Sequence, residues 1–164
     1  MGSGRRWSRH RGLPVRYLVG AILSGADLSR VDLTDANLTR ANLARARLVG
    51  TNLIGAHLAG ANLSAARLIG AHLIGADLTS ADLTDANLFD AHVIGADLTG
   101  AHLIGADLSG ASLLSALWSE RTLWPSGLAA RMKEQSEPLA DGRWRVRGSG
   151  SSEADLSVPQ VPVP

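Results

Sequence analysis

An all-β solenoid, followed by a short C-terminal helix and strand, is the fold this sequence predicts. Three observations carry the prediction. A large apolar residue recurs every fifth position from Leu23 to Leu113, a small residue precedes it by two, and outward apolar residues recur with a step of twenty. A period of five matches neither the 3.6 of a helix nor the 2 of a simple strand, so neither describes this span.

The repeat unit comes first. Stepping by five from Leu23 meets leucine each time as far as Leu113, with Val93 the one replacement, giving nineteen repeats without an insertion. Alanine stands two places earlier in every repeat except those with Val31 and Thr51, and the residue between is usually Asp, Asn or His. The unit reads A-[DNH]-L-x-x. Alternation along a short extended piece sends the alanine and leucine inward and the polar residue between them outward. The last two positions, rich in Gly, Ser, Thr and Asp, turn the chain through positive φ and side-chain hydrogen bonds to backbone. Each repeat is one side of a polygon.

The number of sides follows from the residue after each central leucine. It is apolar at Val49, Ile54, Ile69, Ile74, Phe89, Ile94, Ile104 and Leu114, and seven of these eight fall into two series with a step of twenty. Four repeats per coil explain this, and Arg47 with Arg67 and His72 with His92 keep the same step. Coils stacked at about 4.8 Å make a square rod about 23 Å long.

With its repeated A-[DNH]-L-x-x, the chain resembles the pentapeptide-repeat proteins, whose signature is A-[DN]-L-x-x. The resemblance covers residues 21–115 and implies a right-handed quadrilateral β-helix with the alanine and leucine positions inside. It also implies an interaction module. Some members of the family resemble DNA in shape and charge, bind DNA gyrase and protect it from quinolones.

Either side of the array the pattern changes. Residues 1–20 are expected to form a basic N-terminal tail and cap, with Arg5, Arg6, Arg9, Arg11 and Arg16 around Trp7. The opening MGSGRRWSRHRG has no apolar stretch behind its charges, so no secretory signal is expected. Residues 116–147 are expected to cap the other end. Trp118 falls in step as a bulky last inner residue, and Trp124-Pro125 is expected to stop the array. A short helix is expected from Ser126 to about Glu137, with Leu128 and Met132 on one face. Arg143-Trp144-Arg145-Val146-Arg147 alternates as a short capping strand. Residues 148–164, rich in Ser, Pro, Val and Gly, have the composition of a disordered tail.

Composition narrows the function. The absence of cysteine removes thiol chemistry and fits a cytoplasmic location. No run of about 18 uncharged apolar residues occurs, so no transmembrane segment is expected. Ser, Thr and Asp recur with the repeat rather than standing apart as a triad or a carboxylate pair, and a convex stack offers no pocket. The expectation is a non-enzymatic, bacterial, cytoplasmic protein with no cofactor and no small-molecule substrate. Of His57, His72, His92 and His102, only His72 and His92 share a side, and two ligands without a third do not make a metal site.

What remains is a surface for protein interaction. Val49, Ile69 and Phe89, with Ile54, Ile74, Ile94 and Leu114, would stack into an exposed apolar strip, which soluble monomers seldom leave bare. The occupant is expected to be the chain's own C-terminal segment, a second copy in a homodimer, or another protein. The alternative is a DNA-mimicking binder of gyrase or another topoisomerase, acting through Asp77, Asp82, Asp85, Asp90, Asp97 and Asp107. Duplex DNA carries one charge per about 1.7 Å, so a 23 Å rod needs roughly 13 charges. Residues 20–116 supply nine aspartates against five arginines. Nucleic acid itself is not an expected partner.

Overall fold

Backbone hydrogen bonds join residues one coil apart. The computed structural model describes residues 18–148, and parallel bridges link Asp27 to Arg47, Arg47 to Arg67, His72 to His92 and Asp77 to Asp97, a step of twenty throughout. The central residues as far as Leu103 donate upward, as Leu73 N–H does to the His92 carbonyl at 2.7 Å, and the outward residues from Asn42 onward donate downward, as Asp77 N–H does to the Ala56 carbonyl at 2.9 Å. At every corner the chain closes a turn. Ala76 N–H donates to the Leu73 carbonyl at 3.1 Å, and Gly75, third in that turn, has φ +64°, the conformation a type II turn demands.

Four faces result, named here by their outward residues. Face 1 carries Asp27, Arg47, Arg67, Asn87 and Asp107; face 2 carries Asp32, Asn52, His72, His92 and Ser112. Face 3 carries Asn37, His57, Asp77, Asp97 and Leu117, and face 4 runs from Ile22 through Asn42, Asn62, Asp82 and His102 to Leu123. Inside, alanines and leucines from Ala36 to Leu103 are fully or almost fully buried. Each buried leucine contributes about 1.5–3 kcal/mol before chain entropy opposes it. The exception at Thr51 has a reason: its hydroxyl donates to the Leu28 carbonyl at 2.8 Å, so a buried polar group is satisfied.

The coil pattern reaches beyond both ends of the uninterrupted array. Leu18 N–H pairs with the Asn37 carbonyl at 2.8 Å, and its side chain packs on the core. At the other end Trp118 does not finish the stack. His102 bridges to Leu123, a step of twenty-one, so one extra residue is accommodated before Thr122 and Trp124 take the small and large inner places. The Thr122 hydroxyl donates to the Leu98 carbonyl at 2.8 Å, as Thr51 does to Leu28. The insertion hides this last repeat from a strict five-residue count.

The end is then closed. Strand β1 (Leu117–Trp118) belongs to the last coil, helix α1 (Leu128–Glu134) follows, and β2 (Ser136–Pro138) and β3 (Trp144–Val146) complete a sheet in the order β1-β3-β2. β3 runs antiparallel to β1, pairing Leu117 with Arg145 and Trp118 with Trp144. It thereby covers the edge that a further coil would have used. The helix is shorter than the sequence suggests at both ends. Gly127 at φ +78° precedes it, and Ser136 leaves it to accept a hydrogen bond from the Trp118 indole at 2.9 Å. Leu128 and Met132 bury its inner face. Trp118 stacks on Trp144 with ring centroids 5.6 Å apart and meets Trp124 edge-on at 5.7 Å.

Most of the basic tail expected over 1–20 and of the disordered tail expected over 148–164 lies outside the described residues.

Candidate interaction surface

The outward side chains divide into those that support the fold and those that do not. Where the outward residue is Asp or Asn, its carboxylate or amide oxygen accepts the N–H two residues on. Asp77 does so from Thr79 at 3.0 Å, Asn52 from Ile54 at 3.2 Å, and Asp107 from Ser109 at 3.0 Å. That N–H takes no part in the coil-to-coil ladder, so the repeat's preference for Asp and Asn is structural. Asp32 accepts from both the hydroxyl and the N–H of Thr34, and these bonds, the hydroxyl foremost, hold its carboxyl below the usual aspartate range.

The apolar rows stand on two adjacent corners. Val49, Ile69 and Phe89 lie between faces 1 and 2; Ile54, Ile74, Ile94 and Leu114 lie between faces 2 and 3. Ile54, Ile74 and Phe89 keep 38 %, 37 % and 43 % of their surface exposed. Between the rows run Asn52, His72, His92 and Ser112, and the two imidazoles stack with centroids 4.9 Å apart and planes 5° from parallel. The described part of the C-terminal segment, the first occupant expected for this strip, takes another path. Through Gly148 it covers the end of the rod and reaches the strip only at Leu114, which lies beside Gly148. The physical reason is that β3 finds unpaired backbone at the last coil, with Ser115 N–H donating to the Val146 carbonyl at 3.0 Å, whereas the strip offers side chains alone.

The acidic residues are not gathered. Asp77 and Asp97 lie on face 3, Asp82 on face 4 and Asp107 on face 1, while Asp85 and Asp90 occupy corners with positive φ. Asp97 is paired with Arg143 at 3.0 Å. The arginines of the terminal strand are likewise engaged: Arg143 with Asp141 and Asp97, Arg145 with Glu137, and Arg147 with the carbonyls of Glu134 and Ser136. His57 and His102 stand on faces 3 and 4, away from the imidazole stack. Among the described residues no three His, Asp or Glu side chains converge as metal ligands, and no helix is long and apolar enough to cross a membrane.

Among the described residues four exposed large apolar side chains lie outside these rows: Val19 and Ile104 at corners, 56 % and 53 % exposed, and Ile22 and Leu123. Ile22, 83 % exposed, and Leu123, 41 % exposed, sit at opposite ends of face 4. The signal for them is an apolar residue where the repeat wants Asp, Asn or His.

Comparison with known proteins agrees with this architecture. The family model for pentapeptide repeats matches eight copies over residues 17–48, 46–85 and 81–113. No curated protein matches the chain. Among solved structures, the pentapeptide repeat protein alr5209 from Nostoc PCC 7120 is 41 % identical over 60 % of this chain and 77 % of its own, with TM-score 0.48. Rfr23 from the cyanobacterium Cyanothece 51142 is 32 % identical over 64 % of this chain and 88 % of its own, with TM-score 0.43. A pentapeptide repeat protein of the Arabidopsis thaliana thylakoid lumen is 32 % identical over 62 % and 68 %, with TM-score 0.46. A twenty-residue coil, buried alanine and leucine positions and a matching family model lead to one conclusion: this chain is a member of the pentapeptide-repeat family, a right-handed quadrilateral β-helix.

Proposed function

We propose that the protein is a non-enzymatic interaction scaffold of the cytoplasm, presenting face 2 and its two apolar corners to a protein partner. The observation that carries this reading is the exposure of Ile54, Ile74 and Phe89 in rows that flank a face without carboxylate or guanidinium groups above Asp32. Contiguous apolar surface of this kind marks interaction sites. Rigid stacking supports the same reading, because side chains twenty residues apart are held in register by backbone bonds and need little ordering on binding.

The topoisomerase-binding alternative draws less support. Its aspartates are dispersed over three faces and two corners, four of them serve turns, and one is neutralised by Arg143.

Ile74→Glu is the test. It places a charge in the middle of the strip without touching an inner position. Recovery of partners from a host lysate should fall strongly relative to wild type, with the melting temperature unchanged. Equal recovery by both proteins would remove face 2 from consideration. For the alternative, DNA supercoiling by gyrase unaffected by excess protein would dispose of it.

A further inference from the structure

Face 1 is electrically divided along the rod. Its lower half and adjoining corners carry Arg30, Arg45, Arg47 and Arg67, with Asp27 as the one acid; the coils of its upper half carry Asp85, Asp90 and Asp107 and no base, and Arg131 of α1 shares a surface groove with Asp107 at the far end. All of these coil side chains are exposed. Arg47 meets Asp27 at 3.9 Å, with both side chains more than half exposed, and such a pair contributes little. Among the described residues Arg45, Arg67, Asp85 and Asp90 make no ion pair. Along the corner between faces 1 and 2 stands the row Val49, Ile69 and Phe89.

We propose that face 1 is a self-complementary docking surface on which a second copy of this chain lies antiparallel, arginine half against aspartate half. This deepens the scaffold reading, because Ile69 and Phe89 belong to the rows it relies on, and it names one partner. The symmetry is what makes the pattern fit. A two-fold axis crossing the rod between the coils of Arg67 and Asn87 exchanges the halves and keeps each corner opposite itself. At that register Arg47 faces Asp107 of the other copy, Arg67 faces Asn87 and lies between Asp85 and Asp90, and Ile69 meets Phe89. Coils spaced at about 4.8 Å place each guanidinium within reach of its counterpart, and the axis makes every contact twice. Face 4 also carries arginines low and aspartates high, with Arg40 and Arg45 against Asp82 and Asp85, but it has no apolar row beside them.

The face is narrow, so the contact belongs with small, transient interfaces below about 1,200 Å². Association is therefore weak and sensitive to salt, since its charges are exposed.

Sedimentation velocity of the full chain over roughly 1–100 μM should show a concentration-dependent dimer. Arg47→Asp/Arg67→Asp makes both halves negative, and Asp85→Arg/Asp107→Arg makes both positive. Each variant alone should self-associate about a hundredfold more weakly, like charges now opposing one another. Mixed in equal amounts, the two should dimerise again, because both sets of contacts are restored. A wild-type chain that stays monomeric, variants that dimerise as before, or a mixture that stays monomeric would each overturn the proposal. Unchanged melting temperatures show that the substitutions, all at exposed positions, leave the coil intact. Ile74→Glu lies on the far corner and should leave the dimer unaltered. A monomeric wild type whose partner recovery still depends on Ile74 removes the dimer alone, and a charge-dependent dimer with recovery insensitive to Ile74 removes the face 2 reading alone.

Discussion

The middle coils and the C-terminal end bury apolar side chains by different means. Between Ala36 and Leu103 the inner places hold alanine and leucine, with Thr51 and Val93 the exceptions, and each packs on its equivalents one coil away. From Ala116 onward the large inner residues are Trp118 and Trp124, covered by α1 and β3. A coil can bury leucine against leucine only while another coil follows; the last one needs a surface of another shape and partners for its free backbone edge. Periodicity builds the core of this protein, and a break in periodicity ends it.

The comparison can be broken most severely in the middle. Leu73→Asp puts a carboxylate into a site with no accessible surface and should cost more than about 4 kcal/mol, unfolding the array. Asp77→Asn, on the surface beside it, should change stability by less than about 0.5 kcal/mol, since asparagine can still accept the Thr79 N–H. Thermal melts of both variants check this, and equal melting temperatures would contradict the inward assignment of the leucines.

At the end the effect should be as strong but local. Trp118→Ala removes the ring that stacks on Trp144 and donates to Ser136, at a cost of about 3–5 kcal/mol. Hydrogen exchange should accelerate first over residues 116–147 while the coils around Leu63 stay protected. Uniform acceleration would mean that cap and coils unfold as one unit.

A smaller effect sharpens the contrast within the repeat. Gly105 and Gly75 both have positive φ, +72° and +64°, but a methyl group on Gly105 would collide with the Asp85 carboxylate, whereas Gly75 has open space. Gly75→Ala should cost about 1–2 kcal/mol from backbone conformation alone, and Gly105→Ala more. Equal costs in denaturant titrations would show that Asp85 moves aside freely.

The smallest expected effect concerns acid. The Arg143 side chain, and then its N–H, hold the Asp141 carboxyl below the usual aspartate range. A carboxyl lowered in the folded state stabilises it above the unfolded value near 3.9, and that contribution disappears as pH falls through the folded value. The cap should therefore lose a little stability below about pH 4. Tryptophan fluorescence should follow it, and a profile unaltered by Asp141→Asn would remove this account.

How much of this was legible beforehand depended on whether a feature repeats. The twenty-residue coil was readable because the Val49 and Ile54 series, Arg47 with Arg67 and His72 with His92 all keep one step, which only side chains stacked on a common face can share. The repeat at Thr122 and Trp124 was not, because one inserted residue shifts it out of phase and threonine replaces alanine. The apolar rows were placed from sequence, but the path of the C-terminal segment as far as Gly148, over the end of the rod, was not, since that depends on where β3 finds unpaired backbone.

Sequence by itself determined the coil, its inner leucines and the residues that stack on each face, because a strict period admits one way of winding an apolar ladder inward. Tertiary structure alone decided how the rod is closed. Trp118, Trp124, Met132, Ser136 and Trp144 follow one another in no regular pattern, and their union depends on the shape and open hydrogen bonds of the last coil.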